Sequence, residues 1–272
     1  GFHDLNKRKG LPSDKEFSIN TKDLNASDWA NAFNINLTDP IGVLIERVIK
    51  KLQRQDTYSI QDIIDTVKED KKSEDKIKNA VENRFLAANE WGLFEEYGTE
   101  IKDLIHPGQA TILDLSPYTS IAGNWSIKGL VVGLISKRLI EERIRSRKFE
   151  ELEDIKQMSF ESFEEDKDPL IWVLIDEAHE LLPKEGKTPA TDALVQLLRE
   201  GRQPGISLVL ATQQPGEIHK DVLTQSDIVI SHRLTSKIDV EALNNMMQTY
   251  LLADIQKYMN ELPDLKGSAI VL

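Results

Sequence analysis

The amino-acid sequence predicts an α/β fold: a mostly parallel sheet flanked by helices, with a small helical subdomain ahead of it. Two observations carry this. From residue 108 onward, short apolar runs alternate with amphipathic helical stretches, the pattern of strands and crossover helices that cover a sheet on both faces. Between residues 39 and 92 the apolar positions recur instead at three- and four-residue spacing. The length agrees, since 272 residues hold one large domain, or a core with one subdomain, at roughly 100–200 residues per domain.

Residues 1–38 read as an irregular lead-in, polar and loop-like around Lys7, Arg8, Lys9, Gly10 and Pro12. Asp39-Pro40 then opens a helix, an N-cap residue followed by proline in the first turn, with Ile41, Leu44, Ile45, Val48 and Leu52 as its stripe. Ser59 and Asp62 form a capping box before Ile60, Ile63, Ile64 and Val67. A third helix runs from about Ser73, with Ile77, Ala80, Val81, Phe85 and Ala88 facing inward, and stops at Gly92. These bound a helical subdomain over 39–106. The sheet core takes 107–272. Its predicted strands are Thr111–Ser116, Trp172–Ile175, Ser207–Ala211, Asp227–Ser231 and Ser268–Leu272, with helices near Ile127–Arg147 and 189–200. Residues 149–168 carry nine acidic side chains against two lysines, a solvated stretch rather than a binding tail.

No stretch approaches the roughly 18 uninterrupted apolar residues of a membrane span. There is no cysteine, hence no disulfide framework or thiolate metal site, and a cytoplasmic protein is the simplest reading. The first residue is Gly1, which suggests a processed or truncated product. A net charge of −12 argues against a surface that grips DNA everywhere, yet leaves room for a narrow basic channel.

The chemistry concentrates where strands end. Trp172-Val173-Leu174-Ile175 runs into Asp176-Glu177, and in open α/β sheets ligands collect at the carboxyl ends of the strands. A nucleotide hydrolase needs one acid there to hold Mg²⁺, usually through water, and a second to polarise the attacking water. Asp176 suits the first role and Glu177 the second. For this segment alone, an acidic strand-to-helix turn stays open. The next strand ends in Ala211-Thr212-Gln213-Gln214-Pro215. Gln213 is the candidate γ-phosphate sensor, with Thr212 second; taken singly, both could simply end a strand in a turn. Arg202, just before that strand, is the first choice for an arginine that reaches a neighbouring subunit, and Arg233 the second. A lone surface arginine is more often merely solvated or paired.

Taken in order, IWVLIDEAHELLP, LLREGRQPGISLVLATQQP and SDIVISHRLTSKIDVEAL resemble the FtsK–HerA superfamily. The helical section and the ILDLS run resemble archaeal HerA-like ATPases less sharply. The resemblance spans most of the chain from about residue 20. It implies a RecA/ASCE-like ATPase core and a ring-shaped, usually hexameric motor that uses ATP and Mg²⁺ to move double-stranded DNA through a central pore. A partner nuclease is a further associate it allows. Asp176 and Glu177 match the Walker B acids, Gln213 the polar sensor and Arg202 an arginine near the subunit boundary. The loop Pro183–Thr188 is assigned to the pore, with Lys184 and Lys187 touching phosphates. A secretion ATPase of the VirB4 kind and a non-catalytic scaffold of the same fold are the alternatives.

Two motifs mislead. Asp176-Glu177-Ala178-His179 spells DEAH, but the Ser-Ala-Thr motif of such helicases is replaced here by Ala-Thr-Gln, and His179 reads as an ordinary first-turn residue. Gly186-Lys187-Thr188 imitates the end of a phosphate-binding loop, but the required glycine five residues earlier is Leu181. No G-x-x-x-x-G-K-[ST] stands anywhere in the 272 residues, so the P-loop strand is expected to be absent from the sheet.

Overall fold

The computed structural model describes residues 14–116, 118, 125–157, 169–247 and 255–272. It forms two compact units, Gly1–Ile135 and Ser136–Leu272.

In the first unit, β1 (Ile19–Asn20) and α1 (Ala26–Ala32) precede α2 (Pro40–Leu52), α3 (Ile60–Glu69) and α4 (Asp75–Glu90). Then β2 (Phe94–Glu95) pairs in parallel with β1. Each helix begins and ends for a local reason. The predicted box holds α3: the Asp62 amide donates to Ser59 Oγ and the Ser59 amide to the Asp62 carboxylate, satisfying donors the helix itself leaves open. After α4 the backbone turns left-handed at Gly92, φ 60°, which glycine adopts without a Cβ clash. Asp39 precedes α2 without a side-chain cap, so Pro40 alone marks that start. The stripes of α2, α3 and α4 close over Trp29, whose ring lies 4.9–5.6 Å from those of Phe33, Phe85 and Phe94.

Two expectations are corrected here. The lead-in is not irregular throughout: residues 1–13, with Lys7 to Pro12, lie outside the described residues, but Asn25 and Asp28 form a capping box on α1. That helix has only seven residues, too few for an apolar period to show. Thr111–Ser116 joins no strand. Leu113 and Leu115 pack against the helical core while Ile112 faces solvent, so hydrophobic contact rather than ladder pairing places this run.

The long helix α5 (Trp125–Gln157) begins in the first unit and extends past the predicted Arg147. The acidic stretch is therefore helical as far as Gln157, and 158–168 lie outside the described residues. The second unit continues with β3 (Ile171–Ile175), α6 (Thr191–Glu200), β4 (Ile206–Leu210), α7 (Lys220–Gln225), β5 (Ile230–His232), α8 (Lys237–Met247), α9 (Ile255–Glu261) and β6 (Ala269–Val271). β3 and β4 pair in parallel, Ile171 opposite Ile206 through Ile175 opposite Leu210, and α6 connects them while packing on β4 and α7.

The strand set departs from one continuous sheet. β5 and β6 pair antiparallel with each other, extended by a reciprocal Val229–Leu272 backbone pair, and apolar periodicity does not distinguish the two directions. Nor is the parallel pair covered on both faces. Trp172 and Leu174 are 68% and 71% exposed, with Val209 beside them also exposed. Alternate strand residues share a face, so one whole apolar side of β3–β4 is open among the described residues. No described helix is long and apolar enough to cross a membrane.

Candidate active site

Parallel pairing sends both strands out of the sheet at the same end. The ladder runs on past the strands, with Ala211 N–H donating to Ile175 O and Ala178 N–H to Ala211 O, each at 2.9 Å. That register brings Asp176-Glu177 alongside Thr212-Gln213. Glu177 has φ 48°, a left-handed conformation that costs an ordinary side chain about 1–2 kcal/mol. There the Gln213 amide donates to Glu177 Oε1 at 2.5 Å. The acids and the amide predicted from separate segments thus stand together at one end of the sheet.

Asp176 is exposed and its Oδ1 accepts the Glu177 amide at 2.9 Å. No group of three or more potential metal ligands occurs among the described residues. One exposed carboxylate at a strand tip fits a Mg²⁺ ion that keeps most of its waters and draws its other ligands from nucleotide phosphates.

The turn before β4 explains its glycines. A Cβ on Gly201 would stand 2.5 Å from Leu197 O and 2.9 Å from Ile206 O, and Gly205 has φ +82°. Between them Arg202 is exposed, and no ion pair holds its side chain among the described residues. Its neighbour Arg199 is engaged instead, paired with buried Asp221 at 2.6 Å. Arg233 is also engaged: it pairs with Asp264 at 2.7 Å and donates to Leu262 O. Lys187 pairs with Asp192 at 2.8 Å, and the Thr188 hydroxyl donates to Leu181 O. Lys184 lines an open cleft of about 430 Å³ with His179, Pro183, Glu185, Gln214 and Glu217. Its loop is pinned there by Lys184 N–H donating to Glu217 O at 2.7 Å.

Sequence reasoning passed over two side chains. His179 is not an idle first-turn residue: its Nδ1 lies 2.9 Å from Thr212 Oγ1 and 3.5 Å from Glu177 Oε2. Asp239 reaches back from α8 to accept the Gly216 amide at 3.0 Å, behind the Thr-Gln-Gln-Pro tip. The DEAH spelling was the available signal for His179. For Asp239 only the ordered S-K-I-D stretch was.

Parallel strands that end side by side in acids and an amide define this α/β site. A family model described as zonular occludens toxin (Zot) matches residues 124–254. The chain is 26% identical over 180 residues to the DNA double-strand break repair helicase HerA of Pyrococcus furiosus, covering 62% of this chain and 31% of that protein. To HerA of Sulfurisphaera tokodaii it is 24% identical over 182 residues, 67% of this chain and 31% of the relative. Among solved structures, the genome packaging NTPase B204 of Sulfolobus turreted icosahedral virus 2, in complex with AMPPCP, overlays 61% of this chain and 62% of its own at 17% identity and a TM-score of 0.39. These likenesses support a HerA/FtsK-type P-loop ATPase. The chain spans about a third of the length of these HerA relatives.

Proposed function

We propose that this chain carries the acid and sensor strands of an ATP-driven motor of the HerA kind, which moves double-stranded DNA through a homo-oligomeric, hexameric ring. The single observation behind this is the Gln213–Glu177 contact across two parallel strand tips. Glu177 is the base that polarises the attacking water, and Gln213 holds its carboxylate toward the γ-phosphate. Asp176 holds Mg²⁺ through water, with Thr212 beside it. Bound Mg²⁺ would neutralise charge developing on the transferred phosphoryl oxygens. Arg202, exposed in a surface turn and in no ion pair among the described residues, is the arginine that reaches the nucleotide of a neighbouring subunit; Arg233, paired with Asp264, is the second choice. Lys184 and Lys187 are the proposed pore contacts to DNA phosphate. The 272 residues hold no G-x-x-x-x-G-K-[ST], so on this reading the phosphate cradle comes from outside them, and these residues alone hydrolyse ATP poorly.

Glu177→Gln, made in the protein that carries this chain, keeps the shape of the side chain but removes the base. ATP binding is expected to persist while hydrolysis falls by about 10²–10⁴-fold. Double-stranded DNA is expected to stimulate the unmutated protein. Retained hydrolysis in the variant would discard the base assignment. Hydrolysis without any response to DNA would favour a VirB4-like secretion ATPase, and no hydrolysis at all a scaffold.

A further inference from the structure

Glu177 presents two carboxylate oxygens with different surroundings. Oε1 accepts from Gln213. Oε2 is buried and accepts no hydrogen bond among the described residues. A buried carboxylate oxygen left unpaired is costly, so a donor that comes within reach can settle it. His179 Nδ1 stands 3.5 Å away, at the edge of hydrogen-bond reach. His179 is itself held at Nδ1 by Thr212 Oγ1, and Thr212 Oγ1 also accepts the Gln214 amide at 3.0 Å. The threonine oxygen therefore has a lone pair left for the imidazole. With its proton on Nδ1, His179 donates toward Thr212 and, with a small rotation, toward Glu177. The other tautomer would aim a lone pair at a carboxylate. The carboxylate selects the Nδ1–H form, which the threonine oxygen accepts, as second-layer groups commonly fix a histidine's tautomer.

We infer that His179 is a positioning residue: its Nδ1–H, oriented by Thr212, holds the second oxygen of Glu177 so that the first stays aimed at the nucleophilic water. This rests on the reading of Glu177 as the base. It ties that base to Thr212 at the tip of the sensor strand.

The test compares His179→Ala, His179→Asn and His179→Gln in the protein that carries this chain, with Glu177→Gln in parallel, measuring kcat, KM for ATP and nucleotide binding. An asparagine amide nitrogen overlays Nδ1, whereas that of glutamine overlays Nε2. His179→Ala is expected to lower kcat about 10–100-fold, the usual cost of removing an orienting partner, with KM and nucleotide binding little changed. Asparagine is expected to restore most of kcat and glutamine is not. An unchanged kcat in His179→Ala, a loss confined to KM, or asparagine and glutamine equally impaired would overturn the role. Should the alanine variant not fold, the asparagine–glutamine pair decides. If Glu177→Gln still hydrolyses ATP, the base reading fails and takes this one with it. If Glu177→Gln is dead and His179→Ala is normal, the positioning role alone fails.

Discussion

Tyr58 and Asp70 show how single residues are set by what surrounds them. Tyr58 is 1% exposed, its hydroxyl finds no partner among the described residues, and burial pushes its phenol up to about 12. An orphaned buried hydroxyl costs more than a missing one. Tyr58→Phe is therefore expected to hold or raise stability, by up to about 1 kcal/mol, and a clear fall in Tm would show that the hydroxyl has a partner in solution. At Asp70, burial works to raise the carboxyl. It is outweighed by hydrogen bonds from Arg47 and Ser73 and by the charge of Arg47, which hold it down to about 2. A folded pKa below the unfolded one stabilises the protein above the ordinary value and loses that contribution as pH falls through the folded value. The window thus runs from about pH 4 down to about pH 2. Arg47→Ala is expected to lower Tm at pH 7 and to shrink the further drop between pH 4 and 2. An undiminished drop in thermal melts across that range would remove Asp70 from the account.

At the scale of elements, spacing and caps were readable because they are local. The stripe and box of α3 and the stop of α4 at Gly92 depend on neighbours within four residues, and all stand where the sequence places them. What spacing does not reveal is what approaches a helix from outside. Gly42 lies in α2, where alanine normally favours the helix by about 1 kcal/mol. Here an added Cβ would meet Asn36 O at 2.3 Å and Leu37 Cα at 2.6 Å, both backbone atoms that cannot swing aside. Gly42→Ala is expected to destabilise by about 1–3 kcal/mol, the range for overpacking. A higher denaturation midpoint in urea would show that the Asn36–Leu37 turn yields. The candidate site divides in the same way. Asp176, Glu177 and Gln213 were legible as strand tips, whereas His179 looked like filler because Thr212, which holds its ring, lies at the tip of a different strand.

For the whole molecule, the open side of β3–β4 matters most. Trp172, Leu174 and Val209 form a contiguous apolar face on exposed strands, and such faces bind something or associate. The isolated 272-residue chain is expected to bind a hydrophobic dye and to self-associate as its concentration rises, despite a net charge of −12. Trp172→Ser with Leu174→Ser should weaken both. Light scattering that shows a monomer at all concentrations, with no dye response, would mean that this face is covered within the chain itself.

The sequence by itself determined α2, α3 and α4, the two strands that carry the acids and the amide, and the likeness to HerA/FtsK-type ATPases, because each rests on short-range periodicity or on motifs in a set order. Only the tertiary structure decided that Glu177 and Gln213 touch, that His179 stands over the second carboxylate oxygen, and that the last two strands run antiparallel. The first and last of those outcomes depend on register and pairing between segments 36 or more residues apart, and the second on Thr212, 33 residues beyond His179; no local pattern of side chains encodes which partner a strand will take.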